Sequence, residues 1–163
     1  MFIMKHRRRR EKKTNSRKRL ALLLSNKPRL VVRRKLNNIS VQLVSYKPEG
    51  DITLASAVSQ ELKKVGWRFS TGNTPAAYLT GYLAGSRAKS KNDSAVLDTG
   101  LHTLTKGSRI YAALKGAVDA GLKIPHSVQI FPKEERIKGT HISKELESNF
   151  QEVLQKLRGS HNG

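Results

Sequence analysis

The 163-residue sequence contains no cysteine, which excludes a disulfide framework, thiol catalysis and any zinc site that needs thiolates. Aromatic residues are only 6% of the chain, too few for the interleaved aromatic and basic residues of proteins that stack single-stranded bases. The longest apolar run, residues 20–24, is far below the ~18 residues of a membrane span and too short for a secretory signal. These absences predict a soluble, cytosolic protein in a reducing compartment.

Acidic residues are scarce where basic residues are densest. The net charge is +20, and residues 5–35 carry 15 Lys or Arg and a single acid, Glu11. Packing so many like charges costs self-repulsion unless a polyanion neutralises them, so this segment predicts an arm that binds nucleic acid. An anionic lipid surface is the less favoured partner, because residues 5–19 lack the wide apolar stripe of membrane-bound segments.

The residues that catalysis would need are also missing. The five histidines have no paired spacing for a metal site or a triad, and no phosphate-binding glycine loop occurs. Of the acids, only Asp51 and Asp98 lie near predicted strand ends, whereas a nuclease with two divalent metals needs several converging carboxylates. Asp98 is therefore interpreted as a cap or loop anchor, and no catalytic residue, metal or cofactor is predicted.

The basic segment divides into an arm and a helix. Residues 1–13 show no apolar periodicity after Met4 and are expected to be disordered until a partner neutralises them. Thr14 or Asn15 can cap a helix that ends near Leu24. The first turn of that helix holds residues 17–19, three cations at the positive end of the helix dipole. Helix stability does not explain these charges, whereas bound phosphate does.

A hairpin is predicted to follow, with strands 30–36 and 39–45 joined by a two-residue turn at Asn37 and Asn38. This turn sets the register, which pairs Leu36 with Ile39, Arg34 with Val41 and Val32 with Leu43 on one side, and Lys35 with Ser40, Arg33 with Gln42 and Val31 with Val44 on the other. The first side is core, apart from Arg34, and the second is solvated and basic.

The remaining pattern predicts an α/β fold. Its elements are a strand at 52–56, a short helix that ends at Gly66, a helix from Thr74 to about Lys89, a strand at 95–97, a helix over 110–118, a strand at 128–131 and a final helix at about 143–158. Three antiparallel strands followed by α-β-α-β indicate a three-layer, ribonuclease H-like mixed sheet with helices on both faces. On the second of these helices Ala77, Gly81 and Gly85 form a smooth stripe, for which close packing on the sheet is favoured over RNA contact.

Several sequence blocks resemble those of a known family. In order, they are Lys13-Thr14-Asn15 with residues 17–20, Arg29-Leu30-Val31-Val32-Arg33, Glu49-Gly50-Asp51, residues 74–81, residues 107–122, Ile124-Pro125-His126-Ser127 and Phe131-Pro132. Over about residues 13–132 the chain resembles the family of large-subunit ribosomal protein eighteen, which binds 5S rRNA, in its archaeal and eukaryotic form.

The resemblance implies a ribonuclease H-like domain without a catalytic centre. It implies a cytoplasmic, ribosomal protein that binds 5S rRNA and helps attach it to 23S rRNA in the central protuberance, beside neighbouring large-subunit proteins. Neither a membrane nor a small-molecule substrate is expected. A basic arm and helix (1–28), an RNA-binding domain (29–140) and a C-terminal helical extension (141–163) are the expected parts.

The residues expected to bind RNA combine the basic segment with the positions that the resemblance carries over. They are Lys5, Arg7, Arg8, Arg9, Arg10, Lys12, Lys13, Asn15, Arg17, Lys18, Arg19, Arg29, Arg33 and Lys35, with Lys106 and Arg109 as weaker candidates because they precede a helix whose first amides could hold a phosphate. A metal-dependent nuclease on the same fold and a general RNA-annealing chaperone are the alternative functions.

Overall fold

The computed structural model describes Met4 and residues 7–159, except for the side chain of Arg9. The helices in this part of the chain are α1 (Arg7–Arg10), α2 (Ser16–Leu23), α3 (Leu62–Val65), α4 (Thr74–Lys89), α5 (Arg109–Asp119), α6 (Glu134–Lys138) and α7 (Lys144–Gly159), and the strands are β1 (Arg29–Arg34), β2 (Ile39–Ser45), β3 (Ile52–Val58) and β4 (Val96–Asp98). None of the described helices has the length and apolar character needed to cross a membrane.

The four strands form one mixed sheet in the order β3-β2-β1-β4. Strands β1, β2 and β3 are antiparallel, and β4 pairs in parallel with β1 after the chain has passed through α4. This arrangement confirms the α/β class and the predicted order of three antiparallel strands followed by helix and strand.

The two faces of the sheet differ in chemistry because alternate residues of β1 point to opposite sides. Leu30 and Val32 are fully buried in a core shared with α4 and α5, which cover that face. Arg29 and Arg33 point to the other face, where α2 lies and shares a cavity with them. The layers are therefore α2, the sheet, and the pair α4 and α5.

Helices α4 and α5 approach so closely that glycine is required where they cross. A Cβ atom on Gly81 would overlap the backbone carbonyl oxygen of Ala113, and one on Gly116 would overlap that of Tyr78. The small-residue stripe of α4 does pack closely, as predicted, but Gly81 and Gly85 face α5 rather than the sheet. Small residues lie on the facing surfaces of both helices. The backbone of α5 packs against Gly81, and the backbone of α4 packs against Gly116.

The predicted hairpin register is wrong by two residues. Residues 35–38 form a four-residue loop, so that Arg34 pairs with Ile39 and Val32 with Val41. The loop is held from outside the hairpin, since the Thr71 hydroxyl donates to the Asn37 carbonyl oxygen at 2.7 Å. A shift of two residues preserves which side chains share a face. The predicted core therefore survives, except for Leu36, which lies in the loop and is 86% exposed.

The strand predicted at residues 128–131 is not formed. Val128–Ile130 is a single 3-10 turn, and the Val128 side chain is 78% exposed. The amide of Phe131 donates to the carbonyl of Val128, and the Ile130 carbonyl accepts from the Gly107 amide at 2.9 Å. These backbone groups are satisfied by a local turn and one loop contact, so they do not add a strand to the sheet.

The arm also differs from the prediction of disorder over residues 1–13. Where it is described, Arg7–Arg10 forms one helical turn. The Arg7 Nε atom donates to the Glu11 carboxylate at 2.9 Å, four residues on, and the Lys13 amide donates to the Arg8 carbonyl at 2.9 Å. The single acid of the arm thus closes the turn, an effect that net charge alone does not reveal. Residues 1–3, 5 and 6 lie outside the described part of the chain.

The last helix, α7, docks on the domain. Its apolar stripe, predicted from spacing, is buried in the common core at Leu146, Phe150, Val153 and Leu157. The carboxamide of Asn149 fastens it to the segment after α3 by accepting from the Arg68 amide at 3.2 Å and donating to the Gly66 carbonyl at 3.0 Å.

Replacing Gly81 by Ala is expected to lower the free energy of unfolding by about 2 kcal/mol, although Ala is the better helix former, because the added methyl group must push α4 away from Ala113. Urea unfolding would measure the change. The matched control is Gly159→Ala, a helical glycine with nothing within 4 Å of the added carbon. A G81A variant as stable as the wild type would show that the helices separate without cost.

Candidate nucleic-acid interface

The described part of the arm carries exposed cations around one acid. Glu11 accepts from Arg7 and, at 2.8 Å, from the Lys13 ammonium group. These two side chains lower the pKa of Glu11. The ion pairs are on the surface, so they contribute little to stability and can be exchanged for phosphate contacts. Arg10 and Lys12 have no side-chain partner among the described residues and face solvent.

Helix α2 begins at Asn15, whose side-chain oxygen accepts from the Lys18 amide at 3.1 Å. Asn15 is thus the cap of the helix, one of the two residues predicted for that role. Its expected contact with RNA stays a prediction. Arg17 projects from the first turn into solvent and has no partner among the described residues. The Lys18 ammonium group turns inward and donates to the Thr99 hydroxyl at 3.0 Å and to the Gly100 carbonyl at 3.3 Å. Arg19 is paired with Asp51. Of the three cations in this turn, Arg17 is therefore the one with no partner in the described chain.

Arg29 is the centre of a buried ion-pair network. Its side chain is only 5% exposed, and its guanidinium group donates to the Asp98 carboxylate at 2.8 Å and to the Asp51 carboxylate at 2.6 Å. Arg19 of α2 donates to the same oxygen of Asp51 at 2.9 Å. The network therefore joins α2, β1, the start of β3 and the end of β4.

Asp98 is the anchor of the loop after β4, as the sequence indicated. Besides Arg29, its carboxylate accepts from the Gly100 amide at 2.8 Å and from Arg33 at 3.2 Å. Burial by itself raises the pKa of Asp98, but the Gly100 amide, Arg33 and Arg29 together hold it below its ordinary value. Asp98 is therefore ionised at neutral pH, and its oxygens are occupied by donors of this chain.

A cavity of about 350 Å³ lies between α2 and the sheet. Its lining is mostly basic and polar: Arg8, Lys13, Thr14, Asn15, Lys18, Arg19, Leu22, Arg29, Arg33, Asp98, Gly100, Leu101 and His102. Many of the residues expected to bind RNA are brought together here. Arg29 and Arg33 form its floor, and their charges are partly balanced by Asp98.

The end of the hairpin adds exposed cations to this surface. Lys35 faces solvent at the tip, as expected, and so does Arg34, which was predicted to lie on the core side of the hairpin. Strand β1 ends at Arg34, whose amide donates to the His102 Nε2 atom at 3.4 Å. Burial, and then the charges of Arg34 and Arg33, lower the pKa of His102. The run Arg33-Arg34-Lys35 next to a turn was the signal that could have identified Arg34.

Lys106 and Arg109 are not part of this surface. They line a different cleft at the start of α5, where the Arg109 guanidinium donates to the carbonyl of Gly72. Among the residues that the structure describes, no group of three or more His, Cys, Asp or Glu side chains is arranged to hold a metal ion.

Comparison with known proteins identifies the family. The sequence profile of a family described as ribosomal large subunit proteins 60S L5 and 50S L18 matches residues 1–95 and 88–127. The chain is 55% identical over 148 residues to Large ribosomal subunit protein uL18 of Methanococcus maripaludis, covering 90% of this chain and 77% of the relative. It is 56% identical over 143 residues to the protein of the same name from Korarchaeum cryptofilum, covering 87% and 73%.

Both relatives are archaeal, and each alignment covers more than four fifths of this chain. The family consists of structural ribosomal proteins rather than enzymes. The chain therefore belongs to the family of large-subunit ribosomal proteins 60S L5 and 50S L18, and is of the archaeal uL18 type.

Proposed function

We propose that this chain, a structural constituent of the large ribosomal subunit, binds 5S rRNA and helps attach it to 23S rRNA in the central protuberance. The proposal also includes contacts with neighbouring large-subunit proteins. The three parts expected from the sequence, residues 1–28, 29–140 and 141–163, are retained as its working division: an RNA-binding arm and helix, an RNA-binding domain, and a C-terminal extension.

The observation that carries the proposal is the division of the basic residues into two groups. Arg19, Arg29 and Arg33 form ion pairs with Asp51 and Asp98 of the same domain, and of the three only the Arg29 side chain is fully buried. The other group faces solvent on the arm, α2 and the hairpin, and none of its side chains forms an ion pair within the described chain: Arg10, Lys12, Arg17, Arg34 and Lys35. A high density of unpaired positive charge favours binding of a polyanion, and for a ribosomal protein that polyanion is RNA.

The paired arginines hold α2 in place, and this position determines where the solvent-facing cations lie. Helix α2 has no buried residue of its own and would be marginal as an isolated helix of eight residues. Its docking rests on Arg19 with Asp51 and on Lys18 with the loop at Thr99. Because the helix is held before RNA arrives, Arg17 is presented at a defined position and less ordering entropy is lost on binding.

Each residue expected to bind RNA receives a role in this proposal. Direct phosphate contacts are assigned to Lys5, Arg7, Arg8, Arg9, Arg10, Lys12, Lys13, Arg17, Lys35 and Lys106; where these have partners, the partners are exposed groups of the arm itself. Asn15, Lys18, Arg19, Arg29, Arg33 and Arg109 are assigned mainly the positioning of α2, β1, the loop after β4 and the loop before α4, because their polar groups have partners in the folded domain.

The nuclease alternative has little support in this site. A divalent metal needs carboxylate oxygens that are open to it. The two oxygens of Asp98 accept from Arg29, Arg33 and Gly100, and Asp51 accepts from Arg19 and Arg29. Both acids serve the fold and the placement of α2.

The experiment that tests the proposed function is competition of a 5S rRNA transcript against tRNA at physiological salt. Preferential retention of 5S rRNA is expected. If about eight phosphates are neutralised, the logarithm of the binding constant should fall with the logarithm of salt concentration at a slope of about −6 to −7. Equal competition by tRNA would favour a general RNA-annealing chaperone, and a slope near zero would remove the basic arm from the mechanism.

The double variant Arg17→Gln with Lys35→Gln should reduce the magnitude of that salt slope by about 1.5, since each lost phosphate contact removes about 0.7–0.9. Its unfolding free energy should stay unchanged because neither side chain has a partner in the described chain. The control is Lys63→Gln with Lys133→Gln, two exposed lysines on other elements. Equal slopes for the two double variants would refute the placement of the contact on α2 and the hairpin.

Asp98→Asn is expected to lower the free energy of unfolding by about 3–5 kcal/mol at pH 7, because it leaves Arg29 buried with one partner fewer. The folded-state pKa of Asp98 is depressed. Its contribution is therefore complete above the unfolded-state pKa of about 3.9 and is lost as the pH falls through the folded-state value. Urea unfolding at pH 7 and in more acidic buffers would measure the difference between variant and wild type, which should shrink on the acid side.

The control for that series is Asp93→Asn, which removes an exposed ion pair with Lys123 and should change stability little. If D98N were as stable as D93N at pH 7, the buried network would not hold the fold in the way described.

A further inference from the structure

A second basic cleft, of about 410 Å³, lies where the first turns of α4 and α5 meet. It is separate from the cavity beneath α2, with which it shares no lining residue. The lining is formed by Arg34, Gly72, Asn73, Thr74, Pro75, Thr105, Lys106, Gly107, Ser108, Arg109, Arg136, His141 and Ile142.

The charge of this cleft has one sign. Arg34, Lys106, Arg109 and Arg136 line it together with His141, and no described carboxylate is among the lining residues. Burial, and then the nearby Arg34 guanidinium, lower the pKa of Arg109. Bringing like charges together raises the electrostatic energy unless an anion lies between them. The first cavity differs, because Asp98 is in its lining and balances part of its charge.

The cleft has a rigid floor. The Arg109 guanidinium donates to the carbonyl of Gly72, which holds the loop before α4 against the start of α5. Gly72 lies under the hairpin loop, and a Cβ atom there would be 2.8 Å from the Leu36 carbonyl oxygen. The turn before α5 needs the positive φ of +70° at Gly107. The positions of the surrounding donors are therefore set by the backbone before any ligand binds.

Polar hydrogens at the start of α5 lack acceptors. The side chain of Ser108, the N-cap residue, makes no capping hydrogen bond. Its hydroxyl oxygen is buried without a partner. The amides of the first turn of a helix have no acceptor within the helix. By contrast, α4 is capped by Asn73, whose side-chain oxygen accepts from the Ala76 amide at 2.9 Å. The first-turn amides at the positive end of α5 therefore remain for an oxyanion, next to a Ser108 hydroxyl that has no partner in the described chain.

The lining also excludes most other ligands. Pockets for organic ligands are usually formed by apolar and aromatic side chains. Here the apolar lining is limited to Pro75 and Ile142, and there is no aromatic ring except the imidazole of His141. The cleft can recognise a phosphate group and has little with which to hold a base or a metabolite. A polymer with many phosphates binds such a site more tightly when other sites on the protein already hold the polymer nearby, because the local phosphate concentration is then high.

We propose that this cleft binds a backbone phosphate of 5S rRNA, as an extension of the α2 and hairpin surface around the end of the sheet. The inference rests on the proposed function. Arg34 lines the cleft, and its amide is bonded to His102, which lines the first cavity. A single RNA backbone can therefore pass from one surface to the other.

The first test uses inorganic phosphate and the full chain labelled with ¹⁵N. Titration should shift the amide signals of residues 107–111 in a saturable way. The variant Lys106→Gln with Arg136→Gln should abolish these shifts and leave the spectrum of α4 and the sheet intact, because both side chains are exposed. The charge-matched control is Lys63→Gln with Lys133→Gln, which should shift as the wild type does. Absence of saturable shifts in the wild type would overturn the proposal.

The second test measures the salt slope of binding to a 5S rRNA transcript. Lys106→Gln with Arg136→Gln should reduce the magnitude of the slope by about 1.5, and the control double variant should leave it unchanged. Phosphate-induced shifts with an unchanged slope would identify a site for free phosphate and overturn RNA as its occupant. A reduced slope without those shifts would overturn the cleft as the binding site.

These experiments separate failure of the proposed function from failure of the cleft alone. If the chain did not prefer 5S rRNA over tRNA, the proposed function would fail for wild type and variants alike, whatever the phosphate titration showed. If the cleft alone were wrong, wild-type binding to 5S rRNA would remain and the slopes of the two double variants would be equal.

Discussion

The buried guanidinium group of Arg29 is the constraint on which the rest of this molecule depends. A charge in the interior is tolerated only when it is paired and hydrogen-bonded. Arg29 meets this condition through Asp51 and Asp98, which lie 22 and 69 residues further along the chain. The same two carboxylates also hold Arg19 of α2 and Arg33 of β1. Two acids in a chain of +20 net charge thus determine how α2 lies on the sheet.

The opposite layer has a different origin. Helices α4 and α5 hold their relative position by close backbone contact at Gly81 and Gly116, so that a methyl group at either position is sterically excluded. This contact sets where the first turns of both helices meet. The close packing of α4 against α5 therefore shapes the basic cleft where their first turns meet. This cleft and the surface formed by α2 and the hairpin lie around the same end of the sheet.

Much of the fold follows from local pattern. Strand and helix positions were predictable because side-chain alternation, proline, glycine and capping residues act within a few residues of one another. The predictions failed where distant contacts decide. Thr71 holds the hairpin loop at Asn37 and shifts the register, and the Ile130 carbonyl bonds to Gly107 instead of joining the sheet. Neither contact leaves a periodic signal in the sequence.

By itself, the sequence determined the class of fold, the family and the basic character of the first third of the chain, because these depend on composition, residue spacing and the order of motifs along the chain. Only the tertiary structure decided which basic side chains face solvent without a partner in the described chain. Arg17 and Lys18 are adjacent in sequence, yet one faces solvent and the other bonds to the loop at Thr99. Their difference arises because acids and carbonyl groups far along the chain are brought to one side of α2 and not to the other.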